Sequence, residues 1–147
     1  MFVAVAFASP AMAGQRVPFK GSLAAVETDA VQGGTLVVDG SGVGKATHLG
    51  RYTITFHVDV NLGTFIGVGT VTFIAANGDT LSASLIGQAA PTPDPNISML
   101  EEVATITGGT GRFAGATGNF TIERVLNLST GISSGSFSGT ISNPGSR

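Results

Sequence analysis

From residue 50 to residue 60 the chain alternates without a break. Tyr52, Ile54, Phe56, Val58 and Val60 fall on one face, and Arg51, Thr53, Thr55, His57 and Asp59 on the other. Successive side chains of a strand point to opposite faces, so this pattern predicts a half-buried β-strand. Two further apolar runs, 66–76 and 80–89, flank Asn77-Gly78-Asp79 and predict a hairpin whose Asn-Gly turn uses positive φ. Strands are also expected over 17–26, 35–39, 43–47, 99–107, 119–128 and 135–142. The Pro91-Thr92-Pro93-Asp94-Pro95 stretch is expected to be a loop, because proline lacks the N–H that a paired strand needs. No window carries a helical stripe. The expected class is therefore all-β, a small antiparallel barrel of about eight strands, with a two-sheet sandwich as the competing architecture.

The segment GGTGRFAGATGNFTIERV runs a glycine-dense stretch straight into an alternating strand. Gly108, Gly109, Gly111, Gly115, Ala116 and Gly118 permit positive φ or close backbone approach, which a sheet corner requires. Ile106-Thr107, then GGTGRFAGATG, then Phe120-Thr121-Ile122, resembles the matching corner of allene oxide cyclases and dirigent proteins. It is closer to the secreted bacterial domains described as allene oxide cyclase barrel-like. A second stretch, GKATHLGRYTITF, is similar to the Ala-Thr-His-Leu-Gly-Arg segment of those bacterial domains. The resemblance implies a barrel whose cavity holds a small molecule. Plant cyclases isomerise a fatty-acid epoxide there, and dirigent proteins steer the coupling of phenolic radicals. No catalytic residue of either group carries over onto this chain. The resemblance also implies oligomers, the state of plant members, so a homo-oligomer stays open.

A length of 147 residues fits one domain, and a chain of this size buries enough surface for a core without disulfides. The absence of cysteine excludes thiolate, disulfide and Cys-ligated zinc chemistry. A net charge of -2, with only seven scattered Lys and Arg, offers no electrostatic grip on nucleic acid. Residues 1–13 read as the tail of a secretory signal, with an apolar stretch over 2–8, Pro10, and Ala11-Met12-Ala13 as a small-residue cleavage site. No basic segment precedes them, so Met1 is expected to be internal to a longer signal, with an ordinary apolar strand as the alternative. The mature domain is expected to start near Gly14 and to be secreted or periplasmic. The apolar run is too short for a membrane span.

Most motif-like features dissolve on inspection. Gly42-Val43-Gly44-Lys45 lacks the first glycine of a phosphate loop, and Ala46 cannot ligate magnesium. Gly109, Gly111 and Gly115 have the wrong spacing for a dinucleotide site and lead into a strand, where a helix N-terminus is needed. No cofactor and no metal site are expected. His57 falls on the polar face as a solvated imidazole, and His48 is expected to pin a turn by hydrogen bonding. Ser133, Ser134, Ser136 and Ser138 read as an outward polar face, and a nucleophile elbow is absent. The sequons at Asn96, Asn119 and Asn127 are assigned no role.

One irregularity remains. Arg124 falls in phase with Phe120, Ile122, Leu126 and Leu128, while Glu102 falls in phase with Leu100, Ala104 and Ile106. An interior guanidinium needs a carboxylate or an anionic ligand, so Glu102 and Arg124 are the candidate ligand-binding pair, with Glu101 and Glu123 facing solvent. A barrel-mouth position or a purely structural ion pair is the alternative. Three functions fit: a barrel binding a small, largely apolar molecule; a cyclase or isomerase whose best carboxylate is Glu102; or a structural module filled by its own side chains. Catalytic residues are not identified.

Overall fold

A computed structural model describes residues 15–145, so the expected signal segment and cleavage site lie outside the described residues. Eight antiparallel strands follow one another around a closed barrel: β1 Arg16–Gln32, β2 Thr35–Ala46, β3 Gly50–Asn61, β4 Ile66–Ala75, β5 Thr80–Pro91, β6 Ile97–Gly109, β7 Gly118–Asn127 and β8 Ile132–Ser142. β8 pairs back onto β1, from Arg16 opposite Ser142 to Val26 opposite Ile132. Closure leaves no free sheet edge and settles barrel against sandwich. The only helical element among the described residues is a 3₁₀ turn, Gly111–Phe113, between β6 and β7.

Segments 35–39 and 43–47, read as separate strands, are one strand, β2. Gly40, Gly42 and Gly44 suggest a break, but they occupy inward positions opposite Phe56, Ile54 and Tyr52. A Cβ at Gly40 would collide with the Phe56 ring, and one at Gly44 with the Tyr52 phenol and the Ser22 carbonyl. Gly40 and Gly44 are the small partners of large rings across the strand pair, and Gly42 lies against the Ala24 carbonyl and Ala25 of β1. β1 runs six residues beyond the expected end at Val26 because β2 pairs with it as far as Gln32 opposite Thr35. Pro91 lies within β5, at its last position, opposite Ser98. The remainder of the proline segment is the expected loop.

The β4–β5 hairpin forms as predicted, with Ile74 opposite Thr80 and Val71 opposite Ala83. In its turn only Gly78 takes positive φ (94°), and Asn77 instead accepts a 2.9 Å hydrogen bond from the Asp79 N–H. That geometry matches a turn closed by one left-handed glycine, and it leaves Asn77 in an ordinary conformation.

The inward face of the barrel separates into two halves. Toward the chain termini, Phe19, Tyr52, Phe73, Phe120 and Phe137 pack ring against ring, with centroids such as Phe19–Phe120 and Tyr52–Phe73 at 5.1 Å. Edge and tilted contacts of this kind add about 0.5–1.5 kcal/mol each beyond area burial. Phe113, completely buried, closes this end from below. At the other end, where the β1–β2, β3–β4, β5–β6 and β7–β8 turns cluster, aliphatic side chains leave a cavity. On the outer wall, strand register brings Val68, Ile86 and Val103 into one exposed apolar row across β4, β5 and β6, which strand alternation alone does not reveal.

Candidate functional site

Arg124 and Glu102 meet on the inner face, as expected from their phases. In the β6–β7 pair, Arg124 lies opposite Leu100 and Glu102 opposite Ile122, so the two side chains are diagonal neighbours. Two glycines make the room. A Cβ at Gly87 would press on the Glu102 side chain, and one at Gly135 on the backbone and Cβ of Arg124. The guanidinium grips Glu102 with both prongs, Nε donating to Oε1 at 2.8 Å and Nη2 to Oε2 at 3.1 Å. Both residues are 6% exposed, so the pair is buried within the barrel wall and not out in solvent at the rim.

Two further partners complete the network. Nη1 of Arg124 donates to Glu27 Oε1 at 2.8 Å and to Ser133 Oγ at 3.0 Å. Glu27 escapes a sequence reading that ends β1 at Val26, yet it follows Phe19, Leu23 and Ala25 in phase. Ser133, read as outward, is 2% exposed and points inward. Its even spacing from Phe137 carried that signal, which the neighbouring serines masked. Leu128 also departs from expectation: it lies just past β7 and is exposed at the rim. Glu101 and Glu123 face solvent as expected, directly opposite one another.

Burial opposes the charge on Arg124, but hydrogen bonding and attraction from Glu102, then Glu27, outweigh it and hold the guanidinium above its ordinary pKa. The Phe56 ring lies 5.2 Å from the guanidinium carbon and adds a cation–π contact. Phe56 is thus the layer between the aromatic core and the charged network. Above the network opens a cavity of about 210 Å³ whose wall includes Val38, Val58, Leu100 and Leu126, with Glu27, Glu102 and Arg124 among its lining residues. Phe65, in the β3–β4 turn, stands 61% exposed at the lip with φ 61°, a conformation bulky residues rarely adopt.

The histidines lie elsewhere. His48, at φ 66°, shares a 3.1 Å hydrogen bond between Nε2 and the Pro18 carbonyl, the turn-pinning role expected of it. Its own carbonyl accepts from Nη2 of Arg112. His57 is on the outer face but does not stand alone: Nδ1 lies 2.7 Å from Asp39 and Nε2 3.1 Å from Asp59. Asp39 comes from β2, directly opposite His57, a neighbour that only the register supplies. The hydrogen bond to Asp39 is the main cause that raises the imidazole pKa above 6.5. Among the described residues no group of three or more His, Asp and Glu side chains is arranged to hold a metal ion.

The fold defines the class, a closed eight-stranded antiparallel β-barrel with a buried aromatic core. Compared with family models, with curated proteins and with solved structures, the chain finds no match.

Proposed function

We propose that this barrel is a binding module for a small, largely apolar molecule, seated in the mouth cavity with its polar group oriented by Arg124, Glu102 and Glu27. The observation that carries this reading is the cavity itself: an aliphatic wall with a buried charged network among its lining residues is the usual composition of a small-molecule site. A barrel filled wholly by its own side chains would have no such space, and here the aromatic filling stops at Phe56. Kinship with the secreted allene oxide cyclase barrel-like domains belongs to the same proposal. It is supported by the Gly108-to-Gly118 corner, the Ala46-to-Arg51 segment and the strand number. An exported location rests on the apolar leader and Ala11-Met12-Ala13, and terminal sequencing of exported protein should find the chain starting at Gly14.

The binding test uses native mass spectrometry of protein purified from its own host, alongside a Leu100→Trp variant whose indole fills the cavity. Co-purifying mass on the wild type that is lost from a folded Leu100→Trp variant supports the reading. A wild-type protein that carries nothing and binds no member of an apolar small-molecule panel overturns it.

A further inference from the structure

We infer that the mouth selects an apolar molecule bearing a protonated amine, with the ammonium seated on the unshared oxygen of Glu27, and that it discriminates against carboxylates. This rests on the cavity-binding reading above and narrows it to a ligand class. Three observations converge on it.

The first is donor and acceptor supply. Arg124 has five N–H groups, and four are already spent on Glu102, Glu27 and Ser133. Little donor capacity is left for an anion. Glu27 is the reverse case: its side chain is 8% exposed, Oε1 is taken by Arg124, and Oε2 accepts no hydrogen bond within the described residues. Glu27 also lines the cavity, so its carboxylate is the acceptor there that Arg124 engages through one oxygen only.

The second is local charge. One guanidinium faces two carboxylates, and Asp29 stands on the cavity lining nearer the rim. The site carries net negative charge, which an ammonium relieves and a carboxylate would aggravate.

The third is the distribution of charge along the barrel. Among the described residues, Arg16, Lys20, Lys45, Arg51 and Arg112 all belong to the closed end, and Arg124 is the only Arg or Lys toward the mouth. Of the nine acidic residues, Asp79 alone sits at the closed end, and the other eight, Glu27 and Asp29 among them, lie toward the mouth. This polarity draws cations to the opening and turns anions away. Six of the mouth acids, all but Glu27 and Glu102, lie outside the Arg124 network.

A cavity of this order takes one aromatic ring with a short chain. The test therefore compares 2-phenylethylamine, 2-phenylethanol and 3-phenylpropionate by calorimetry, with amide shifts of Gly87 and Leu100 reporting the site. The amine should bind about tenfold more tightly than the alcohol, the size of one charge-assisted hydrogen bond, with the carboxylate weakest. Glu27→Gln should bring the amine down to the alcohol's affinity. Should that variant fail to fold, the wild-type ranking decides by itself. An alcohol or carboxylate that binds as well as the amine, with shifts at Gly87 and Leu100, overturns the amine assignment and leaves the cavity reading standing. Absence of binding by all three overturns the amine assignment, and the cavity reading falls only if the co-purification and panel test above also finds nothing.

Discussion

The two ends of the barrel solve opposite problems with similar parts. Among the described residues each end carries one non-glycine residue at positive φ, His48 at the closed end and Phe65 at the mouth. His48 is tied down through its ring to Pro18 and through its carbonyl to Arg112, while Leu49 beside it is buried. Phe65 is held by its backbone N–H to the Asn61 carbonyl at 2.6 Å, and its ring stands in the open. The arginines differ in the same way. Arg112 closes its end by latching the β2–β3 turn and stacking 5.0 Å over Phe113, with Asp79 at 3.7 Å. Arg124 is wrapped by carboxylates and leaves space above it. Ring-against-ring packing stabilises one end, and the other forgoes that packing to keep a cavity, a division expected where stability and binding share one core.

The comparison breaks first at the aromatic core. Phe73→Ala should cost about 3–5 kcal/mol in urea denaturation, because the vacated ring space lies among four other rings that cannot collapse into it. Leu62→Ala at the mouth should cost well under about 1 kcal/mol, since this side chain already borders open space. Equal losses would show that the two halves are not packed differently.

Next comes the charged network. Arg124→Met strands two buried carboxylates and should cost about 3–5 kcal/mol, more than Glu102→Gln, which leaves Glu27 to balance the guanidinium. The double variant Arg124→Met with Glu102→Gln should recover part of the loss, and adding Glu27→Gln should recover more. Strictly additive losses in this cycle would sink the network as a coupled unit.

At the closed end, Gly111→Val and Gly118→Val should each cost about 1 kcal/mol or more, read as a lowered thermal midpoint. Gly111 sits at φ 61° against the Asp79 carboxylate, and Gly118 at φ 141° against the Thr140 carbonyl. Gly33→Ala, at φ 63° in the mouth's β1–β2 turn, meets nothing within 4 Å and should cost less. A reversed order would mean that strain alone, and not close approach, governs these sites.

The smallest effect is at the outer wall. The His57 imidazole should titrate above 6.5 by NMR, and Asp39→Asn should lower its midpoint. A pKa raised by folding contributes stability that is fully present below the unfolded value and is lost as pH rises through the folded one. Stability from this cluster should therefore decline as pH rises from 6.5 through the raised folded value. A midpoint unmoved by Asp39→Asn would remove Asp39 as the cause.

Much of this was legible along the chain. Alternation alone identified the inward face of β3, the β4–β5 hairpin and the phases of Arg124 and Glu102, because side-chain direction in a strand is a local property with a period of two. Local spacing also allows a strand to be read as interrupted where it is not. Gly40 and Gly44 look like breakers until the rings of Phe56 and Tyr52 are placed across from them. Which strands meet follows only from the closed barrel. Glu27 and Arg124 are 97 positions apart and join because β8, lying between β1 and β7, closes the barrel. Asp39 reaches His57 through the β2–β3 register in the same way. Where the aromatic filling stops and the cavity begins is likewise a property of eight inner faces packed together, since the space left by one side chain depends on the volumes opposite it.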